Sequence, residues 1–323
     1  MSTPYPLSDH YDGQRFFNPG VPRSSRGLLP MLRWQLRRQR AVWPAGLSSP
    51  PYPPPPETVP DAAVAITFIN HASFLIRLPG VTILTDPIFS ERCSPVTWAG
   101  PKRARPPGIA LSDLPRPDIV LLSHNHYDHM DLPSLRYIQR HHAPRFVTTL
   151  GNAPALRRLG IIAAELDWWQ DVDIAPLRIT ATPARHFSAR TPFDRNRTLW
   201  AGFMLQTDAA RILFAGDSAM GPHWHDIRTR LGAPHVALLP VGAYEPRWFM
   251  AAAHMNPAEA VQAHQDLAAH RSVGMHFGTF QLTDEAIDAP IHALAEARDA
   301  AGLPPDHFTT QGFGETRIYP IRS

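Results

Sequence analysis

Four residues of types that bind divalent metals fall within six consecutive positions: His124, His126, Asp128 and His129, in the run Ser123-His124-Asn125-His126-Tyr127-Asp128-His129. Neutral imidazole and carboxylate are ligands of zinc, and equally of manganese and iron. Buried without partners, such a group of polar side chains would cost on the order of several kcal/mol, so a cluster of satisfied core residues is a poor account of it. The run reads as a metal-binding loop, with Tyr127 placed to line the cleft that the metal faces. One loop cannot complete two coordination shells. Further along, His186, Asp217 (in Ala215-Gly216-Asp217-Ser218) and His276 (in Met275-His276-Phe277-Gly278) each sit at or just after an apolar strand-like segment. Taken singly each is as well read as structural; taken together they read as the rest of a metal centre.

The elements that must position these residues are mostly short strands. Val64–Ile69 and Ser73–Leu78 read as strands, and Pro79-Gly80 turns the chain into Val81–Thr85. Ile119–Leu122 is continuously apolar and ends at Ser123, as a strand buried on both faces would. Further strands are expected at Phe146–Thr149, Leu177–Thr182, Trp200–Gln206, Ile212–Ala215, Val236–Leu239 and Val273–Phe277. The clearest helix is Asn256–Ala269, where Asn256 caps, Pro257 takes the first helical position and Glu259 has capping-box spacing. Many strands with intervening helices point to an α/β fold of two packed sheets with helices outside.

Residues 1–60 differ in character and are expected to form a basic, proline-rich leader and strap ahead of one main domain at 61–323. Six prolines between Pro50 and Pro56 make an extended tether. Before it, Leu28–Arg40 carries four arginines, and Leu29, Leu32, Leu36 and Trp43 fall near one helical face. A basic amphipathic helix of this kind either lies on an anionic membrane surface, through residues 28–43, or straps its own domain.

Bulk properties bound the rest. Of 323 residues, 44% are hydrophobic and 18% charged, which suffices for a real core. The single cysteine, Cys93, excludes an internal disulfide framework and a thiolate zinc site. A net charge of +3, without basic stripes interleaved with aromatics, gives no support for nucleic-acid binding. Met1–Arg26 has no apolar run of signal-peptide length, and no segment has the roughly 18 apolar residues of a membrane span. A cytoplasmic protein is expected, with peripheral contact at the inner membrane face as the alternative that the basic segment allows.

The order His-x-His-x-Asp-His, then His, Asp and His, resembles the metallo-β-lactamase superfamily. The resemblance implies a four-layer αββα sandwich holding two divalent ions, zinc foremost. It implies that His124, His126 and His186 hold one ion, that Asp128, His129 and His276 hold the other, and that Asp217 bridges them. True β-lactamases often carry cysteine at the bridging position, so Asp217 argues against antibiotic hydrolysis.

Several longer strings narrow the match: Leu84-Thr85-Asp86-Pro87-Ile88-Phe89, Gly100-Pro101-Lys102-Arg103, Glu165-Leu166-Asp167-Trp168-Trp169, Gly242–Met250 and His276–Phe280, with Phe17-Asn18-Pro19 and Leu32-Arg33-Trp34 in the leader. They resemble the N-acylphosphatidylethanolamine-hydrolysing phospholipase D family from about Phe17 to Tyr319. Three positions depart from it: Ala253 stands for glutamine, Asn256 for aspartate and Phe277 for tryptophan.

The family likeness implies a phosphodiesterase acting on a phospholipid or other phosphodiester, with Asp128 orienting or deprotonating the attacking water. His254 is the candidate proton donor, its family counterpart lying near the site. Tyr244, Glu245 and Arg247 are candidate substrate contacts with Tyr127; an Arg247–Glu245 structural pair is the competing reading of the last two. Trp168 and Trp169 read better as core aromatics than as a lipid site. Rival readings are a lactonase or other metallohydrolase of the same fold on a soluble substrate and, outside enzymes, a membrane-associated binding protein. A homodimer is compatible with all of them.

Overall fold

All eight residues of β1 (Ala63–Asn70) are buried, as a strand covered on both faces must be. The computed structural model describes residues 4–21, 33–34 and 36–321. After β1 come β2 (Ser73–Leu78), β3 (Val81–Thr85), β4 (Ile119–Leu122), α1 (Leu132–His142), β5 (Arg145–Thr149), α2 (Ala153–Arg157) and β6 (Ala163–Leu166). The second half holds β7 (Asp171–Ile174), β8 (Leu177–Thr182), β9 (Gly202–Gln206), β10 (Arg211–Phe214), α3 (His223–Leu231), β11 (Val236–Pro240), α4 (Arg247–Met250) and α5 (Pro257–Asp266). It closes with β12 (Arg271–Met275), α6 (Ala289–Ala300), β13 (Phe308–Thr309) and β14 (Thr316–Pro320).

These strands form two seven-stranded sheets, ordered β14-β1-β2-β3-β4-β5-β6 and β13-β12-β11-β10-β9-β8-β7. Alternation along β4 shows how the layers are built. Ile119 and Leu121 join Ile66, Phe68, Phe203 and Phe214 in the core between the sheets. Val120 and Leu122 face the other way, onto Leu135 and Ile138 of α1 and Leu156 of α2. Ile227 of α3, Val261 of α5 and Leu294 of α6 join the larger cluster. The result is the expected αββα sandwich.

Most element boundaries fall within a residue or two of expectation, and the differences have causes. β12 stops at Met275 rather than running to Phe277, because His276 takes a left-handed φ of +64° that ends the ladder. The capping box at Asn256 is present in both directions, but α5 ends at Asp266. β6, β7, β13 and β14 were not foreshadowed: Ala163–Leu166 and Asp171–Ile174 are half-exposed edge segments without an apolar run.

Of the amphipathic segment, Leu28, Leu29 and Leu32 lie outside the described residues. Arg33, Trp34, Leu36 and Arg37 are helical. Trp34 is buried against its own domain: Nε1 donates to Asp284 Oδ2 at 2.9 Å, and the ring stacks on Phe249 at 5.1 Å. Arg38 pairs with Asp284 at 2.7 Å, and Trp43 Nε1 donates to the Glu285 carbonyl. Among the described residues no helix is long and apolar enough to cross a membrane.

Candidate metal centre

Every cluster residue leaves the end of a strand. β4 releases Ser123 into the ligand loop, which folds into a turn where the Met130 N–H donates to the His126 carbonyl at 2.9 Å. Arg190 clamps that turn. Its Nη1 donates to the carbonyls of Asn125 and Met130, both at 2.8 Å, and its guanidinium lies 4.0 Å from the Tyr127 ring centre. β8 leads to His186, whose carbonyl accepts from Asn18 Nδ2 at 2.9 Å. β10 leads to Asp217 through Gly216 at φ +59°, where a Cβ would lie 2.8 Å from Ser123 Cβ. Only glycine fits there. β12 leads to His276.

Two four-residue groups result, each with ligand atoms within 4.8 Å of one another: His124, His126, His186 and Asp217, then His71, Asp128, His129 and His276. Asp217 Oδ2 belongs to both neighbourhoods, lying 3.1 Å from His129 Nε2, 3.2 Å from His276 Nε2, 3.6 Å from His186 Nε2 and 3.9 Å from His124 Nε2. Asp128 Oδ2 lies 3.3 Å from His276 Nε2 and 3.4 Å from His129 Nε2. Ligand atoms sharing one zinc ion at bonds of about 2.0–2.1 Å sit roughly 3.3 Å apart, so these spacings suit coordination.

The tautomers are set from outside. His129 Nδ1 donates to Asp86 Oδ2 at 2.7 Å, and His186 Nδ1 donates to the Ala253 carbonyl at 3.0 Å. Ser123 Oγ donates to Asp86 Oδ2, so it accepts from His124 Nδ1 at 2.9 Å. Three imidazoles therefore turn Nε2 lone pairs inward, the arrangement by which neighbouring groups orient metal-binding histidines. His129 Nε2, His276 Nε2 and Asp217 Oδ1 are buried without a hydrogen-bond partner among the described residues. A divalent ion fits this donor set: convergent, desolvated imidazole and carboxylate atoms with no other partner.

Electrostatics agree. Burial pulls His124, His126 and His186 down, His126 to about 4. Burial also works against His129 and His276, but Asp217 outweighs it, together with Asp128, and holds His129 well above the ordinary range and His276 at about 9. The two carboxylates feel burial pushing them up, yet His129 and its neighbours hold both well below the ordinary carboxylate range. Two ionised carboxylates in a buried pocket demand positive charge, carried either by protonated His129 and His276 or by a cation that displaces their Nε2 protons.

Two participants escaped the sequence reading. Asp86, fully buried at the end of β3, accepts from the Ser123 N–H at 2.8 Å as well as from Ser123 Oγ and His129. His71, in the β1–β2 turn, places Nε2 2.9 Å from Asp128 Oδ2. The signal for Asp86 was its place directly after a strand, the same signal that singled out Asp217.

The remaining candidates divide. His254 faces the cluster, its ring 5.0 Å from His186 and 5.3 Å from His276, with burial pulling it down to about 3. Arg247 is engaged elsewhere: Nη2 meets Glu259 Oε2 at 2.6 Å, and Nη1 donates to the His254 carbonyl at 3.0 Å. Glu245 accepts from the Arg247 backbone N–H, so their link runs through the main chain rather than as an ion pair. Tyr244 is buried, and burial with Glu285 nearby pushes its hydroxyl up to about 12. Tyr127 donates its hydroxyl to the Arg190 carbonyl at 3.0 Å. Trp168 is a core aromatic, donating to the Trp200 carbonyl at 2.7 Å, while Trp169 carries Arg230 at 4.3 Å from its ring centre.

Comparison with known proteins matches residues 81–277 to the β-lactamase superfamily domain. An N-acyl-phosphatidylethanolamine-hydrolyzing phospholipase D of Caenorhabditis elegans is 35% identical over 269 residues, covering 79% of this chain and 76% of the nematode protein. The mitochondrial enzyme of that name from Saccharomyces cerevisiae is 38% identical over 232 residues, covering 69% of this chain and 49% of the yeast protein. Among solved structures, a metallo hydrolase from the archaeon Ignicoccus hospitalis superposes with a TM-score of 0.62 at 23% identity, a likeness of fold covering 80% of this chain and all of the other.

Proposed function

This chain belongs to the β-lactamase superfamily and has relatives named as N-acyl-phosphatidylethanolamine-hydrolyzing phospholipases D; from that footing we propose that it is a two-zinc phosphodiesterase cleaving N-acylphosphatidylethanolamine to an N-acylethanolamine and phosphatidic acid. The observation that carries this reading is the pair of four-residue groups meeting at Asp217 Oδ2, in a chain 35% identical to a protein so named. In it His124, His126 and His186 hold one ion, Asp128, His129 and His276 the other, and Asp217 both. Ions bound there supply Lewis acidity and lower the pKa of a neighbouring water toward neutrality.

The protein's own residues do the rest. Asp128, ionised beside the cluster, orients the attacking water or takes its proton. The water oxygen bonds to phosphorus, the phosphorus–oxygen bond to the ethanolamine breaks, and the leaving alkoxide takes a proton. His254 is the group placed to give it. Burial foremost, with His276 and His126 beside it, keeps this imidazole neutral, and a bound phosphodiester anion acts in the opposite sense. Arg247 holds the His254 carbonyl and so sets that ring's position, which makes it a support rather than a phosphate clamp.

Access to a lipid is supported by the leader and by α4 beside it: Leu36 of the leader is 84% and Trp248 of α4 57% exposed, with Arg33 5.4 Å from the Trp248 ring centre. In this reading residues 28–43 meet a bilayer surface with basic and apolar side chains while Trp34 stays docked.

The test is hydrolysis of N-acylphosphatidylethanolamine by zinc-loaded protein beside its Asp217→Asn variant. Release of phosphatidic acid and an N-acylethanolamine by the wild type alone supports the proposal. Cleavage of a bis-aryl phosphodiester without the lipid would retain the phosphodiesterase and discard the substrate. Failure on both by protein holding two zinc ions would bring forward the lactonase.

A further inference from the structure

One buried imidazole at the cluster has no part in the scheme above. His71 occupies the tight turn between β1 and β2, is 1% exposed, and holds φ at +47°. A left-handed backbone at a residue with a side chain persists only where its surroundings fix it. Here the fixings come from the segment after β12: the His71 N–H donates to Thr279 Oγ1 at 2.9 Å, and its carbonyl accepts from the His276 N–H at 2.8 Å. The ring is sandwiched accordingly, 4.0 Å from the His276 ring centre and edge-on to Phe280 at 5.6 Å.

So placed, Nε2 meets Asp128 Oδ2 at 2.9 Å with hydrogen-bond geometry. Its proximity to Asp128, His129 and His276 admits two roles, a further ligand or a support. The partners decide between them. The Nε2 atoms of His129 and His276 are buried without a hydrogen-bond partner among the described residues, whereas that of His71 is engaged by the carboxylate. We propose that His71 is a positioning residue: its Nε2–H holds Asp128 in the orientation that faces His129 and His276, and its backbone ties that carboxylate to the strand end carrying His276. The inference rests on the two-metal reading and adds a residue to it.

The experiment titrates zinc into metal-stripped full-length protein against a chromophoric chelator, and records the visible spectrum of the cobalt-loaded form. His71→Ala weakens one of the two binding steps by about 10- to 100-fold and leaves the other in place, the range typical of groups that orient a ligand. His71→Gln, whose amide can donate the same bond, recovers most of the loss. Both variants keep the cobalt band positions, since no ligand nitrogen is removed. Unchanged binding in His71→Ala would reduce the ring to packing and overturn the proposal. A cobalt spectrum altered in both variants as in His276→Ala would make His71 a ligand and overturn it equally. A wild type that takes up no ion would instead sink the two-metal reading beneath it, an outcome separable from the other two.

Discussion

From β14 to β6 the first sheet makes three antiparallel pairings and then three parallel ones; from β7 to β13 the second does the same. β3 and β10 occupy the same place in that plan, and a buried aspartate follows each. Asp86 comes directly after β3 and Asp217 three residues beyond the end of β10. Their surroundings differ. Asp86 is taken up by the Ser123 N–H, the Ser123 hydroxyl and His129 Nδ1, whereas Asp217 Oδ1 has no hydrogen-bond partner among the described residues and Oδ2 turns toward four Nε2 atoms. One position in a repeated architecture thus yields a carboxylate bound up by fixed donors or one left facing the imidazoles, according to whether fixed donors reach it first. Gly216, which lets the β10 loop run close to Ser123, is what carries Asp217 past such donors.

The sharpest way to break this division is to treat both aspartates alike. On the two-metal proposal Asp217→Asn should lower turnover by about 10³-fold or more, because several kcal/mol of charge stabilisation would go with a carboxylate shared by both ions. Zinc content measured on the same sample should fall with it. Asp86→Asn should leave two ions bindable but weaken them about 10- to 100-fold, as losing an orienting group does. Equal losses in the two variants would mean that the sheets share the metals evenly.

The junction of the halves gives a pH test. His10 bridges to Asp167, just after β6, with Nε2 2.7 Å from Oδ1, and to Asp9 through Nδ1 at 2.6 Å, while stacking on Trp168. Burial pulls this histidine down, but the bonds to Asp167 and Asp9 outweigh it and leave it raised. A raised folded value means that its stabilisation is complete below about 6.5, the ordinary histidine value, and fades as pH climbs through the higher folded value. Thermal melts of wild type and His10→Gln should therefore converge as pH rises from 6 toward 9; curves that diverge would exclude the charged bridge.

A smaller effect is expected away from the cluster. Asn256→Ala removes the cap of α5 in the second half and should cost about 1 kcal/mol, a shift of about 2 °C in melting temperature.

How much of this was legible in the chain follows the same division. The first half puts His124, His126, Asp128 and His129 in one loop, where density alone draws the eye. The second half supplies His186, Asp217 and His276 one per strand end, so only their shared context marks them. Asp86 and His71 were not legible as site residues, because each is a lone polar residue whose meaning is a contact made by folding. Arg247 shows the converse: a charged residue in an aromatic string suggested a substrate, yet Glu259, fixed 12 positions on by the capping box, claims its guanidinium. Central strands announced themselves through apolar runs, and the edges β6 and β7 lacked that signal.

Chain termini usually tolerate trimming and tagging. Asn18 makes this one an exception, since it joins the His186 carbonyl at 2.9 Å to the Trp200 indole at 3.2 Å through a single side chain. The next methionine after Met1 is Met31. A chain beginning there would keep every strand and every cluster residue and the Ala253 contact to the His186 ring, but would lose the side chain that ties the His186 backbone to Trp200.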